Sequence, residues 1–302
     1  PLGLTNVKLT GGEPMLHPEF REIVRFLSNG KVPIIMETNG TLIGTEEAEF
    51  LRDSGYFNFV SVSVDGSTER VHDDLRGVLG SWKQALRGIR NLVEAGYRPQ
   101  MICTLHQGNI HQITDILKLA VELGCSSLKF NHLQEMGRGD ELAESMGLPV
   151  KEVLSLYQRV QRERKSIPIP VYFDVPIAFR KIGDLLKSNP GVCKVHNILG
   201  ILCGGEAALC GIGLAVPELV FGNLHTDALE DIWLGAPKLR ELRETVPAKL
   251  EGICSQCMHR DRCLGTCIAH NYHEAGKMTA PYGFCKEANE LGLFPKNRKL
   301  IM

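Results

Sequence analysis

Cysteine is the residue type with chemical reach in the last third of this chain. The sequence runs Cys254-Ser-Gln-Cys257, then Cys263, Cys267 and Cys285, a C-x2-C-x5-C-x3-C-x17-C pattern. Cys193 and Cys210 stand upstream, the second closing Gly205-Glu-Ala-Ala-Leu-Cys210. A buried free thiol packs as a small hydrophobe and gives no reason for such clustering. Metal ligation by thiolate gives one. Structural zinc takes tetrahedral sets of four cysteines. Iron–sulfur clusters also take four thiolates each, and soft sulfur donors suit both metals. Disulfides belong to oxidising compartments and to chains too short for a core, whereas 302 residues can build one. Spacing within the run leaves zinc and iron open.

At the other end, Val7-Lys-Leu-Thr-Gly11-Gly12-Glu13-Pro14 reads as a strand running into two glycines, a carboxylate and a proline. Glycine lets backbone approach a ligand closely, and a carboxylate beside it can hold an ammonium group. Phe20, Ile23, Val24 and Leu27 then share one face of an amphipathic helix. The Gly-Gly-Glu-Pro turn therefore falls at the carboxyl end of a strand, where α/β folds place their sites. Two later strands also end on polar residues, in Glu37-Thr38-Asn39-Gly40 and Ser61-Val-Ser63-Val-Asp65-Gly66. Asn-Gly and Asp-Gly are common turn pairs in their own right, so turn and site are both open readings there.

Together the two ends resemble the radical S-adenosylmethionine (radical SAM) superfamily. Leu9-Thr-Gly-Gly-Glu-Pro14 looks like the turn that binds the methionyl group of SAM. The pattern C-x11-G-x4-C, followed by the C-terminal run, resembles the SPASM extension, which holds two auxiliary [4Fe–4S] clusters. This resemblance spans nearly the whole chain and favours iron over zinc. It implies an α/β fold: a partial (β/α)6 TIM-like barrel lacking its first strand, plus a small cysteine-rich auxiliary-cluster domain.

By position, the resemblance assigns Cys193, Cys210 and Cys267 to the first auxiliary cluster, and Cys254, Cys257, Cys263 and Cys285 to the second. Cys203 and His196 are candidates for a fourth ligand of the first cluster, because Lys187 stands where some relatives carry a cysteine. The resemblance also implies that Gly11, Gly12, Glu13 and Pro14 hold the methionyl amine, with Thr38 and Asn39 at the same cofactor site. Ser63 and Asp65 would lie near the ribose and carboxylate of SAM. Arg76, in His72-Asp-Asp-Leu-Arg76-Gly, would pair that carboxylate, a contact that can be bidentate. Asn131, Gln134 and Arg138 are candidate adenosine neighbours.

The chain departs from the family at its start. Radical SAM enzymes carry C-x3-C-x2-C after the first barrel strand, and no cysteine precedes Cys103 here. Cys103 and Cys125 read as core thiols. The resemblance therefore implies a chain that begins just before the second barrel strand, with a third, SAM-binding cluster upstream. Without that motif the sequence as written is not expected to cleave SAM. The implied activity is generation of a 5′-deoxyadenosyl radical that abstracts hydrogen to modify a peptide or protein, by thioether or carbon–carbon crosslinking or sulfatase-type maturation. A flavodoxin or ferredoxin would supply the electron. Cofactor or small-molecule biosynthesis is an alternative, as is a non-catalytic Fe–S electron carrier or peptide-binding scaffold.

The elements that must position these residues alternate strand and helix, which argues for a parallel sheet. Strands are expected at Leu4–Thr10, Pro33–Thr38, Phe57–Val64, Pro99–Leu105 and Ser127–Gln134. Ser81-Trp-Lys-Gln84 reads as a capping box, and Asn109 as the cap of a helix whose Ile113, Ile116, Leu117 and Ala120 face inward. Pro149 opens another helix with Val153, Leu154, Leu156, Tyr157 and Val160 as its stripe and a solvated basic end from Arg159 to Lys165. Ile167-Pro-Ile-Pro-Val-Tyr-Phe173 reads as extended. The expected domains are the partial barrel at 1–139, a helical connector at 140–192 and the SPASM domain at 193–302, the last too short and loop-rich to build much of a core without metal. Charges nearly cancel, 34 basic against 35 acidic, and no basic stripe points to nucleic acid or an anionic membrane. No apolar run reaches the roughly 20 residues that span a bilayer. The thiol set fits a reducing, cytoplasmic compartment.

Overall fold

The computed structural model describes residues 3–187 and 192–300. The chain divides into two compact units. The first comprises Pro1–Gln134, Leu142–Leu148 and Glu152–Asp174. The second comprises Glu135–Glu141, Pro149–Lys151 and Val175–Met302.

In chain order the elements begin β1 (Val7–Leu9), α1 (Phe20–Asn29), β2 (Ile34–Thr38), α2 (Thr45–Ser54), β3 (Phe57–Ser63), α3 (Glu69–Arg76) and α4 (Ser81–Glu94). Then come β4 (Gln100–Leu105), α5 (Ile113–Glu122), β5 (Ser127–His132), α6 (Arg138–Met146), α7 (Val150–Glu163) and β6 (Val171–Phe173). The six strands form one sheet in the order β1-β2-β3-β4-β5-β6, every pair parallel. Sequential parallel strands joined by helices make a partial TIM-like barrel.

Its sixth described strand, β6, lies inside the stretch read as a helical connector. Only three residues long, it shows the buried–exposed–buried alternation of a sheet edge. Pro170 has no N–H to give and instead offers its carbonyl to Leu128 N at 3.0 Å, which suits an edge position. The basic end of α7 is also less solvated than expected: Arg159 bonds Glu163 at 2.7 Å and Thr114 Oγ1 at 3.1 Å, tying α7 to α5.

Two expected caps are built differently. Ser81 is the first residue of α4, after Gly80 with φ +80°. The capping carboxylate comes from Asp73, which accepts the Ser81 hydroxyl and the Trp82 N–H, both at 2.8 Å. Asn109 is fully buried and stands at the N-cap position of the short turn Ile110–Gln112 that leads into α5, but its side chain makes no cap hydrogen bond there. Its Nδ2 donates to the carbonyls of Asp65 at 2.9 Å and Thr104 at 2.8 Å, and its Oδ1 accepts the His106 N–H at 2.9 Å, so it bolts the ends of β3 and β4 together.

The second unit contains α8 (Ile182–Lys187), then β7 (Gly200–Ile201), β8 (Glu206–Ala208) and β9 (Val220–Asn223) in an antiparallel sheet. Short helices follow: α9 (Leu229–Gly235), α10 (Pro237–Thr245), α11 (Gly252–Ser255), α12 (Arg260–Cys263), α13 (Ile268–Ala275) and α14 (Gly283–Glu290). Contrary to expectation, this unit has an apolar core of its own. Leu209, Leu219, Ile232, Leu239 and Leu242 are buried together between the sheet and α9–α10. Ligand bonds are therefore not its sole staple. Among the described residues no helix is long and apolar enough to cross a membrane.

Candidate cofactor and cluster sites

The Gly-Gly-Glu-Pro turn follows β1 and is held to the end of β2 through one carboxylate. Glu13 Oε1 accepts the Thr38 hydroxyl at 2.8 Å and the Met15 N–H at 3.2 Å, while Oε2 accepts the Asn39 N–H at 2.7 Å. Gly11 has φ +127°, a backbone that glycine adopts without strain. A Cβ added at Gly11 or Gly12 would meet nothing within 4 Å, so the space before the turn is open. Thr38 and Asn39 spend their side chains locally. Thr38 Oγ1 accepts the Gly40 N–H at 3.0 Å, and Asn39 Oδ1 accepts both the N–H and hydroxyl of Thr41 at 2.8 Å. They position Glu13 and shape the turn; Pro14 opens the single helical turn that Glu13 caps.

Asp65 spends its carboxylate within the fold. Its side chain is 1% exposed and turned inward. Oδ2 accepts Arg76 Nε at 2.7 Å and Nη2 at 2.6 Å, and Oδ1 accepts the Thr104 N–H at 2.8 Å. Arg76, about one third exposed, is thus fixed by Asp65, with Nη1 outside the pair. Ser63 is half-buried at the end of β3. Gln134 lies beyond β5, Asn131 within it, and the side chain of Arg138 lies outside the described residues.

Sequence reasoning missed the groups that brace this end of the sheet. His72 is buried, and its Nδ1 accepts the Asp65 N–H at 2.9 Å. Burial pushes its imidazole below the ordinary value, against the attraction of Asp65. His106, buried after β4, is lowered by burial in the same way. For Asp73, burial opposes ionisation, but the donors from Trp82, Ser81 and Gly80 outweigh it and hold the carboxyl below its usual range. The available signal was the His72-Asp-Asp74 run directly before Arg76.

In the second unit, Cys254, Cys257, Cys263 and Cys285 line one apolar cavity with Ile177, Leu250, Ile253 and Phe294. Burial pushes the Cys254 thiol up to about 11, and the neighbouring Cys263 and Cys257 add to it. Burial likewise pushes Cys285 well above its ordinary value, with Cys254, Cys263 and Cys257 adding to the shift. Cys257 is raised by burial too, while the His259 N–H at 3.4 Å from its Sγ opposes the rise. The four sulfurs thus stand within electrostatic range of one another. Among the described residues no three His, Cys, Asp or Glu side chains form a single-ion site. Four thiols around one dry cavity suit a four-iron cluster, one thiolate to each iron.

Cys210 and Cys267 are half-buried against the same apolar core, and Cys193 is exposed. Cys203 sits in the exposed turn between β7 and β8. Ile201 faces Ala207 in that ribbon, and the backbone of Cys210 packs against Gly200, three residues before Cys203. His196 Nε2 is buried with no hydrogen-bond partner among the described residues.

Comparison with known proteins adds the following. The family model described as the radical SAM superfamily matches residues 1–120, and that of an iron–sulfur cluster-binding domain, SPASM, matches residues 193–258. An AdoMet-dependent heme synthase of Methanosarcina barkeri is 30% identical over 290 residues, covering 92% of this chain and 81% of the relative. The mycofactocin maturase MftC of Mycobacterium ulcerans is 28% identical over 284 residues, covering 92% and 74%. Streptococcus suis SuiB bound to S-adenosylmethionine superposes with TM-score 0.73 at 16% identity, over 93% of this chain and 66% of that one. Native anSMEcpe with bound AdoMet superposes with TM-score 0.71 at 18% identity, over 95% and 81%. Those two superpositions bear on the fold, and the chain spans about two thirds of the SuiB length. The chain belongs to the radical SAM superfamily of enzymes, which use [4Fe–4S] clusters and S-adenosylmethionine, and it carries a SPASM domain.

Proposed function

We propose that this chain forms the SAM-binding barrel and auxiliary-cluster domain of an enzyme that oxidatively modifies a peptide or protein. When bound, the clusters and SAM supply an electron and a hydrogen-abstracting carbon radical. The protein supplies position and a water-poor setting. Gly11 and Gly12 let backbone approach the methionyl group, and Glu13, oriented by Thr38 and the Asn39 N–H, takes its ammonium. Arg76, anchored on Asp65, offers its remaining N–H groups to the methionyl carboxylate. Cys254, Cys257, Cys263 and Cys285 hold the second auxiliary cluster. Cys193, Cys210 and Cys267 hold the first, with Cys203 and the orphaned His196 Nε2 as candidates for its fourth ligand. A flavodoxin or ferredoxin is the expected reductant. The observation that carries this reading is the four-thiol cavity. Anaerobic reconstitution followed by iron, sulfide and zinc analysis tests it. About eight irons per chain from these seven cysteines are expected, four for each cluster; zinc with little iron overturns it.

A second reading, radical chemistry on a tetrapyrrole, is favoured by the 30% identity to a heme synthase. Incubating the SAM-cleaving enzyme with an iron porphyrin carboxylate and, separately, with a precursor peptide distinguishes the two by the mass of the product.

A further inference from the structure

In the barrel unit the strand order is sequential and every crossover parallel. Right-handed crossovers then put all the intervening helices on one face of the sheet. Side chains alternate between that face and the barrel lumen. Met36, Val62, Cys103 and Phe130 point to the helices and are wholly buried; Val62 meets Gly40 beside Ala85 of α4. The residues between them point the other way. Glu37 pairs in register with Ser61, Ser63 with Ile102, Ile102 with Lys129, and Thr104 with Asn131.

That lumen is mostly polar, whereas a barrel used only for packing is filled with bulky branched side chains. Two charges at its β1–β2 side cancel: Lys8 Nζ lies 2.6 Å from Glu37. At the β4–β5–β6 side Lys129 has no such partner. It is half-buried between Ile102 and Tyr172 in register, and among the described residues its ammonium makes no ion pair or hydrogen bond. Two residues on, along the same face, Asn131 Oδ1 is buried without a partner. Withdrawing an unpaired ammonium from water is unfavourable, and so is leaving a buried amide oxygen unmade. A ligand that brings an anion to Lys129 and an N–H or O–H donor to Asn131 would remove both costs.

We propose that Lys129 anchors a carboxylate of the substrate inside the barrel, with Asn131 accepting a donor next to it. This deepens the enzyme reading and rests on it for the substrate's entry into the lumen. A peptide's acidic residue or C-terminus and a tetrapyrrole's acid side chain share this chemistry. The test uses Lys129→Met, which keeps the length and loses the charge, and Lys129→Arg, which keeps the charge. Each variant is first matched to wild type by thermal unfolding and iron content. Binding of an iron tetrapyrrole carboxylate and of an acidic peptide is then followed by titration, each beside its methyl ester. For whichever ligand binds, Lys129→Met should lose about tenfold or more in affinity, the range of a charged hydrogen bond. Lys129→Arg should stay within a few-fold, and the ester should bind wild type as weakly as the acid binds Lys129→Met. Equal affinity of acid and ester, an unaffected Lys129→Met, or no binding of either acid overturns the anchor. Iron content after reconstitution reports on the enzyme reading separately, so the two can fail independently.

Discussion

Arg76 puts two nitrogens, Nε at 2.7 Å and Nη2 at 2.6 Å, on a single oxygen of the buried Asp65. The other oxygen takes the Thr104 N–H, so this carboxylate joins α3 to β4 while aiming a guanidinium. Removing one partner of a buried pair is costly because the other charge is left uncompensated. Arg76 is partly exposed and can rehydrate, which places Asp65→Ala near the low end of that range, at about 3 kcal/mol by urea unfolding. The same variant should weaken SAM binding by releasing Arg76. Arg76→Ala should weaken it as well. A stability change within about 0.5 kcal/mol for Asp65→Ala, the scatter of surface substitutions, would contradict the structural role.

Asp73 gives a second separable test. It supplies the cap of α4 from the preceding helix, through Ser81, Trp82 and Gly80. Loss of an N-cap oxygen typically costs about 1–2 kcal/mol, so Asp73→Ala should fall there and Asp73→Asn should recover most of it. Ser81→Ala removes one donor only and should cost less than Asp73→Ala. The reverse order would restore Ser81 as the cap.

What was legible in the sequence, and what was not, has physical causes. Thiolate ligation and the open glycine turn demand fixed residue types at fixed spacing, so Cys254 to Cys285 and Gly11 to Pro14 can be found without coordinates. Long periodic helices such as α5 were legible from Ile113, Ile116, Leu117 and Ala120, all of which are buried. Strand β6 was legible only as an extended stretch from Ile167 to Phe173, because three residues after Pro170 carry too little alternation to show that they join the sheet. Asp65 and Arg76 are each plausible ligand groups alone, and only the fold reveals that they spend their charge on one another. Lys129 was hidden because polar alternation reads equally as a solvated sheet face, and only the one-sided placement of the helices turns that face into a lumen. The core of the second unit escaped because its helices are too short for a clear period.

The buried histidines set a pH dependence. His72 has a lowered folded value, caused first by burial, with Asp65 and Asp73 raising it and Arg76 lowering it. Its unfolded value is about 6.5. Between the folded and unfolded values the unfolded chain binds more protons, so stability rises with pH there. The contribution is fully present above about pH 6.5 and is lost as pH falls below it. His106 acts in the same direction. Urea midpoints should therefore drop between about pH 7.5 and pH 5. His72→Gln should flatten part of that slope, since a neutral amide can still accept the Asp65 N–H. An unchanged slope would place the titration elsewhere.

Cys257 offers the most direct test of the second auxiliary cluster. Its sulfur lines the cavity with those of Cys254, Cys263 and Cys285, and it accepts the His259 N–H at 3.4 Å. Removing one thiolate of four leaves an iron open to water and lowers cluster retention. Cys257→Ala should therefore lose about four irons per chain, one cluster's worth. The set at Cys193, Cys210 and Cys267 should keep its own iron, because Cys210 and Cys267 pack against an apolar core of which Cys257 is not a member. Chemical iron analysis with an electron paramagnetic resonance spectrum of the reduced protein reads both at once. Loss of all iron would mean that the two thiol sets fold around their metal as one unit. A full iron count would remove Cys257 from the ligand set.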